Sequence, residues 1–328
     1  MLKRLRPLIT LATLVLVIGL AACGNAPSAA QPTPGRFVIG MSQANNAEPW
    51  RAAMNAQIAA AALKHPELEV RFADAKQSNA TQVADVERFI EAGVNLLIIS
   101  PNEATPLTNV VARAYDKGIP VIVLDRKVNG AKYTMWIGAD NKVIGRRAGA
   151  YAAQWCKDQG RDPCNVIELR GLEGSTPATE RGDGFREGIA TNPTVKIIAS
   201  QNADWIGDKA IPLAVEMLKV NPKVDVVYAH NDPMAEGAIN AFAQTKTDPS
   251  TTLVIGIDAL PTPDGGIKSV IANRINVTYV YPTGGQEAIE WAVKILEQQA
   301  QPLKEVILDT LEVVPANAVE LLKSFGGQ

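Results

Sequence analysis

The sequence predicts an α/β fold of two doubly wound, Rossmann-like lobes in series, joined by a hinge. Short aliphatic runs recur along the chain, and each gives way to a polar stretch and then to a segment long enough for a helix. These runs are apolar along their whole length, as strands covered on both faces by helices are. The alternation also runs through twice, before and after Asp140-Asn141, without the sequence itself repeating. Strand–helix–strand units of this length and regularity imply right-handed crossovers and mainly parallel sheets.

In order, Phe37-Val38-Ile39-Gly40-Met41 is the first strand, followed by the polar Ser42 to Asn46 and an alanine-dominated helix from Trp50 to Lys64. Leu68 to Phe72 is the second strand. Ser78 opens a helix with Val83, Val86, Phe89 and Ile90 at helical spacing, and Gly93 follows its end. Leu96 to Ile99 is the third strand, Leu107 to Lys117 a helix, and Val121-Ile122-Val123-Leu124 a strand that ends abruptly in Asp125-Arg126; Met135 to Gly138 adds one more strand. The second pass has a helix from Ile144 to Gln159, a strand from Asn165 to Leu169, a polar segment from Gly171 to Thr179 and a helix at Arg181. Strands at Val195 to Ala199, Val224 to Tyr228 and Leu253 to Ile257 alternate with helices at Asp208 to Lys219 and Pro233 to Gln244. A last strand, Ile275 to Tyr281, a long helix, Glu287 to Gln299, a closing run from Glu305 to Val314 and a C-terminal helix complete the chain. The expected division is 36–139 with about 282–310 for the first lobe and 140–281 with about 311–328 for the second.

Ahead of the first strand, Lys3, Arg4 and Arg6 form a basic start, Leu8 to Leu20 an apolar middle and Leu20-Ala21-Ala22-Cys23 a small-residue end. The apolar middle is shorter than the roughly 20 residues a bilayer span needs, so residues 1–22 read as a signal peptide. The four residues ending at Cys23 look like a lipobox, which makes Cys23 the expected lipidated N-terminus of an extracytoplasmic, membrane-anchored protein, in the periplasm or on the cell surface. Residues 23–35, rich in Ala, Pro, Ser and Gln, read as a tether without a core. With Cys23 so assigned, Cys156 and Cys164 are the remaining cysteines, separated by a turn-rich segment in a disulfide-permissive compartment, and a bridge is expected between them. Two histidines, His65 and His230, are not at ligand spacing, so no metal and no cofactor are expected. A formal net charge of −2, with no basic run beyond the signal, speaks against a nucleic-acid partner.

In open α/β sheets, ligands bind beyond the carboxyl ends of the strands. The residues there are Ser42, Asn46, Asp125, Arg126, Asn231 and Asp258, with Trp50, Trp205, Tyr281, Arg51 and Arg181 around them. Carboxylates and Asn accept from vicinal hydroxyls, Arg donates in a planar fork, and indole rings cover the C–H face of a sugar. Enzyme signatures are missing: there is no G-x-S-x-G elbow, H-E-x-x-H, P-loop or G-x-G-x-x-G after a strand. His230 reads as a strand-end residue that orients its loop, and an Asp125–Asp258 pair as too firmly ionised to donate a proton in glycoside hydrolysis. No catalytic residue is assigned.

Gly40-Met41-Ser42-Gln43, Val123-Leu124-Asp125-Arg126, Ala139-Asp140-Asn141, Ala178 to Phe185, Tyr228 to Asp232 and Gly256-Ile257-Asp258 resemble, in that order, the periplasmic sugar-binding proteins of the ribose and galactose type. Trp50-Arg51, Pro163 to Leu169 and Ala229 to Asp232 look closest to the galactofuranose-binding branch of ABC transporters. The resemblance implies a type I periplasmic binding protein fold that captures a galactofuranose-, galactose- or ribose-like monosaccharide between its lobes and delivers it to a membrane permease as a monomer. It implies Asp125 and Arg126 as contacts from the first lobe, with Ser42, Trp50 and Arg51 beside them, and Arg181, Trp205, Asn231 and Asp258 from the second; Asn46, where the chain departs from the galactofuranose branch, is a candidate from its strand-end place alone. A further contact falls at Tyr279, Val280 or Tyr281, with Tyr281 taken, and Asp140-Asn141 is the implied hinge. A sensor subunit presenting its sugar to a membrane receptor or kinase is the alternative.

Overall fold

The structure, a computed structural model, describes residues Arg36 to Gly326. The signal segment, the tether and Cys23 lie outside the described residues. From the N-terminal side the elements are β1 (Phe37–Gln43), α1 (Pro49–Ala62), β2 (Leu68–Asp74), α2 (Asn79–Glu91), β3 (Leu96–Ser100), α3 (Ala104–Asp116), β4 (Val121–Leu124) and β5 (Met135–Ala139). Then come α4 (Asn141–Asp158), β6 (Cys164–Arg170), α5 (Thr176–Ile189), β7 (Val195–Asn202), α6 (Gly207–Val220), β8 (Val226–Ala229), α7 (Asp232–Thr245) and β9 (Leu253–Ile255). The chain closes with α8 (Gly266–Ile271), β10 (Thr278–Tyr279), α9 (Gly285–Gln298), β11 (Glu305–Leu308), β12 (Glu312–Val313) and α10 (Ala318–Ser324).

The first sheet has the order β11-β5-β4-β3-β1-β2 and is parallel throughout. Its inner strands are sealed by helices on both faces, which is why β3, β4 and β5 are buried at every position. The late strand β11 returns to this sheet, in register with β5. The second sheet, β7-β6-β8-β9, is also parallel and is extended beyond β9 by isolated parallel bridges from Ile255 to Val277 and from Asp258 to Val280. Strand order reverses between β1 and β3 in one sheet and between β6 and β8 in the other. At such switch points neighbouring crossovers leave on opposite faces and open a crevice at the strand ends.

Several element boundaries differ from the sequence reading. α5 begins at Thr176, not at Arg181, because Ser175 is extended and Pro177 sits in the first turn, where its fixed φ suits a helix start and its missing N–H is not needed. The strand expected over Ile275 to Tyr281 is regular only at Thr278–Tyr279, and the closing run splits into β11 and β12, which pair with different partners. α8 is an additional six-residue helix that no apolar periodicity announced. Cys156 and Cys164 are joined in a disulfide that ties the end of α4 to the start of β6.

α4 and α5 pack backbone to backbone. A methyl group at Gly145 would collide with the Arg181 carbonyl, and one at Gly184 with the Lys142 carbonyl, so each helix uses a glycine to admit the other's backbone. This seam positions α5, and with it Arg181.

Candidate functional site

The carboxyl ends of the strands from both lobes converge on one small cavity, lined by Glu48, Trp50, Arg51, Asp125, Arg126, Pro177, Arg181, Trp205, Asn231, Asp258 and Tyr281.

Asp125 follows β4 directly and has a left-handed backbone, φ +62°. Its N–H donates to the Ile137 carbonyl and its own carbonyl accepts from the Trp136 indole at 3.0 Å, so the neighbouring strand holds this turn from both sides. The carboxylate accepts from Arg51 Nη2 at 3.1 Å and from the Tyr281 hydroxyl at 2.7 Å. Arg51, in the first turn of α1, also donates to Gln43 Oε1 and to Ser100 Oγ at 2.8 Å. Burial opposes its charge, but Glu48 and Asp125 together outweigh that and raise its pKa. Burial and the Asp125 charge raise the Tyr281 pKa well above its usual value, so the phenol keeps the proton it donates.

Arg126 is differently placed. One nitrogen donates to the Asn102 carbonyl at 2.8 Å, while Glu48 and Asp125 approach its other nitrogens only to 3.7 and 3.9 Å. Burial, and then repulsion from Arg51, push its pKa down to about 10, which leaves it charged at neutral pH. From the second lobe, Arg181 donates through Nε to Asn141 Oδ1 at 2.8 Å and through Nη1 to the His230 carbonyl. Trp205, with φ +72°, carries the Arg126 and Arg181 guanidinium groups over its ring at 5.5 and 5.3 Å, and its buried indole N–H has no partner among the described residues. Asn231 caps α7 through the Met234 N–H and donates to the Trp205 carbonyl at 3.0 Å. Asp258 is buried, and its carboxylate accepts no hydrogen bond from any described residue. Left-handed backbone at Asp125, Trp205 and Asp258 is strain of the kind that clusters at functional sites.

Nine of the residues singled out in the sequence therefore line the cavity, and Ser42 and Asn46 do not. Ser42 is fully buried within β1, its hydroxyl without a partner among the described residues, and strand alternation aims it into the fold. Asn46 is exposed and accepts from Asn55 at 2.7 Å, so its side chain is engaged along α1. Of the three residues left open in the last strand, Tyr281 lines the cavity, whereas the Tyr279 hydroxyl bonds Glu312. Asp140 caps α4 by accepting from the Val143 N–H, and Asn141 donates to the Tyr281 hydroxyl at 3.1 Å.

Glu48 and Pro177 were missed. Glu48 pairs with Arg51 Nε at 3.2 Å and accepts from Asn45 at 2.6 Å. Its signal was the i, i+3 spacing to Arg51 across a helix start marked by Pro49. His230 does not line the cavity: its Nδ1 accepts from the Gly171 N–H and its Nε2 therefore donates to Glu168 at 3.1 Å. Among the described residues no group of three or more His, Cys, Asp or Glu side chains could hold a metal ion.

Two lobes presenting charged strand ends to one small cavity, lined by no Ser, Cys or His that could act as a nucleophile or its base, form a site suited to a small polar solute. The chain belongs to the periplasmic binding protein domain family, which matches residues 39–302. The ribose import binding protein RbsB of Escherichia coli is 32% identical over 291 residues, 88% of this chain and 92% of that protein. The galactofuranose-binding protein YtfQ of the same organism is 31% identical over 255 residues, 76% of this chain and 78% of its own. Among solved structures, the fructose-binding periplasmic domain of a hybrid two-component system superposes with a TM-score of 0.84 at 40% identity, covering 89% of this chain and 95% of that one. A Mycobacterium smegmatis protein in complex with β-D-fucofuranose does so with a TM-score of 0.83 at 30% identity, covering 88% and 95%. These relatives are solute-binding proteins, not enzymes, and the family is one of extracytoplasmic sugar-binding proteins.

Proposed function

We propose that this protein captures one monosaccharide in the cavity, in a furanose form such as galactofuranose, fructofuranose or ribofuranose, and delivers it to the permease of an ABC transporter. The observation that carries the reading is the Asp258 carboxylate, buried on the cavity wall and accepting from no described residue, opposite guanidinium donors that are only partly used. A sugar supplies both complements, because its hydroxyls donate to Asp258 and accept from Arg126 and Arg181. Tyr281 stacks on Trp50 with ring centroids 5.0 Å apart, and this pair offers an apolar wall to the sugar's C–H face. The preference for a furanose rests on the relatives, whose names include galactofuranose and whose complexes include β-D-fucofuranose and arabinofuranose.

The lobes in this reading are 36–139 with about 282–310 and 140–281 with about 311–328, hinged at Asp140-Asn141. Sugar bridges them only when they are closed, so its differential affinity shifts the population toward the shape a permease recognises. Lipid at Cys23 would hold the protein at the membrane as a monomer. A second reading, in which the closed form is presented to a sensor kinase, is favoured by the similarity to a periplasmic domain of a two-component system.

A thermal-shift screen over pentoses and hexoses, followed by titration calorimetry on the hits, tests the assignment. A rise in Tm with an aldose or ketose that populates the furanose form is expected, since a ligand that binds only the folded state stabilises it by mass action. No shift with any monosaccharide at millimolar concentration would sink it.

A further inference from the structure

Asp232, the first residue of α7, is buried but does not line the sugar cavity. Its Oδ1 accepts from the Thr278 hydroxyl at 2.7 Å, its Oδ2 accepts from the Ala259 N–H at 2.7 Å, and its own N–H donates to the Ile257 carbonyl at 2.7 Å. One side chain thus ties the start of α7 to β10 and to the exit of β9. The first residue of α8 rests on it as well, because a methyl group at Gly266 would collide with the Asp232 carboxylate.

The turn held in this way is Asp258-Ala259, with φ of +126° and +49°. The Asp258 N–H donates to the Tyr279 carbonyl and the Asp258 carbonyl accepts from the Tyr281 N–H, so its backbone is committed on both sides and only its carboxylate is left for the cavity. The charged groups that act on Asp258 are Arg181 from α5, Asp232 from α7, Glu48 from the approach to α1 and Asp125 from the exit of β4. Asp232 in turn feels Glu236 and Arg181. Of the four charged groups that act on it most strongly, three are acids and Arg181 is the opposing cation, while Arg51 and Arg126 also line the cavity.

We propose that Asp232 is a positioning residue for sugar binding: it holds the Asp258-Ala259 turn and, as a second carboxylate behind Asp258, makes sugar affinity depend on proton release. The inference rests on the sugar-binding reading above. Burial, reinforced by the neighbouring acids against Arg181, holds Asp258 well above the usual carboxylate range, which corrects the firmly ionised Asp258 expected from the sequence, and burial pushes Asp232 up to about 7. A sugar hydroxyl that donates to Asp258 makes a stronger bond to the ionised carboxylate than to the acid. Binding therefore favours the Asp258 carboxylate that accepts from the sugar hydroxyl, and a proton held by the free side chain passes to solvent. No covalent bond to the sugar forms and no electrons are transferred.

Titration calorimetry with D-fructose, D-ribose and D-galactose, in pairs of buffers of different ionisation enthalpy between about pH 5 and pH 8, reads this directly. For the wild type we expect proton release that approaches one per sugar at the acid end, and affinity that tightens by up to about tenfold per pH unit until Asp258 is ionised in the free protein. D258N should bind weakly, with no proton release and a flat profile. In D232N the amide oxygen still accepts from the Ala259 N–H and the amide nitrogen can donate to the Thr278 hydroxyl, so the turn survives while the rear charge is gone. Its profile should shift to lower pH and its proton count near neutrality should fall, changes that a purely structural role would not produce. Buffer-independent heats with a flat wild-type profile would overturn the proposal, as would a D232N profile identical to that of the wild type. If D232N does not fold, the wild-type and D258N buffer pairs decide. Absence of heat with every sugar would instead overturn the sugar-binding reading, and this inference with it.

Discussion

The cluster around Asp125 and the cluster around Glu168 are built from the same materials, yet they spend their hydrogen-bonding capacity in opposite ways. Glu168 is closed on every side: Oε1 takes Arg186 Nη1 at 3.0 Å and His230 Nε2 at 3.1 Å, and Oε2 takes Arg186 Nη2 and the Ser200 hydroxyl, both at 2.7 Å. Burial opposes its charge, but those donors outweigh it and hold Glu168 far below the usual carboxylate range. Burial lowers the His230 pKa, so the imidazole stays neutral in the tautomer its two partners require. Around the cavity, Arg126 keeps donors beyond hydrogen-bond reach of their acids and Asp258 keeps a carboxylate without a protein donor. Complete satisfaction marks the cluster that fixes the second lobe; incomplete satisfaction marks the one that awaits a solute.

The difference can be broken from either side. The largest expected effect is on Arg181→Ala, which removes the guanidinium bridging Asn141, the His230 carbonyl and the cavity. Calorimetry should show sugar affinity falling by about 100-fold or more, on the order of 3 kcal/mol, as buried acceptors lose a charged donor. An unchanged Kd would remove Arg181 from the site.

Glu168→Gln should act on stability instead. Loss of the buried carboxylate to half-exposed Arg186 should cost about 2 kcal/mol in urea unfolding, solvent screening of the guanidinium included, with Kd within a few-fold of the wild type. The same variant sharpens the contrast through pH. The Glu168 pKa is depressed in the folded state, so its contribution is present above the unfolded value of about 4.3 and is lost as pH falls below it. The stability gap between wild type and variant should narrow below about pH 4 and be constant near neutrality.

The smallest effect on sugar affinity is expected for the paired replacement Cys156→Ser with Cys164→Ser, at the far end of α4 from the cavity. Loss of so short a covalent loop should lower stability by about 2 to 3 kcal/mol without altering Kd. A change in sugar affinity there would mean that strain passes along α4 to Asn141.

Much of the fold could be read from the chain because its strands are covered on both faces. The Val121 to Leu124 run is apolar throughout, and the charge at Asp125 marks where the covering stops. The same logic located Arg126, Asn231 and Asp258, whose positions follow from strand ends alone. It could not choose among polar neighbours in one loop, where a single turn decides which side chain faces inward: Asn46 turns out to Asn55 while Glu48, two residues on, turns in to two arginines. Nor could it find α8 or the split of the closing run, since a six-residue helix and two-residue strands carry no measurable period. The partner carboxylate behind Asp258 was hidden for another reason: Asp232 reads as an ordinary first-turn acid of a helix until the turn it holds is seen in three dimensions.

The glycine seam between α4 and α5 bears on how this protein can change its ligand. Because the two backbones touch, Asn141 at the head of one helix and Arg181 within the other share one frame, and through Tyr281 that frame reaches Asp125. New specificities are therefore more accessible at cavity side chains outside the seam, such as Trp205 or Asn231, whereas a bulkier residue at Gly145 or Gly184 would retune every contact of the frame at once. Selection for a different sugar should leave the seam intact and vary its surroundings.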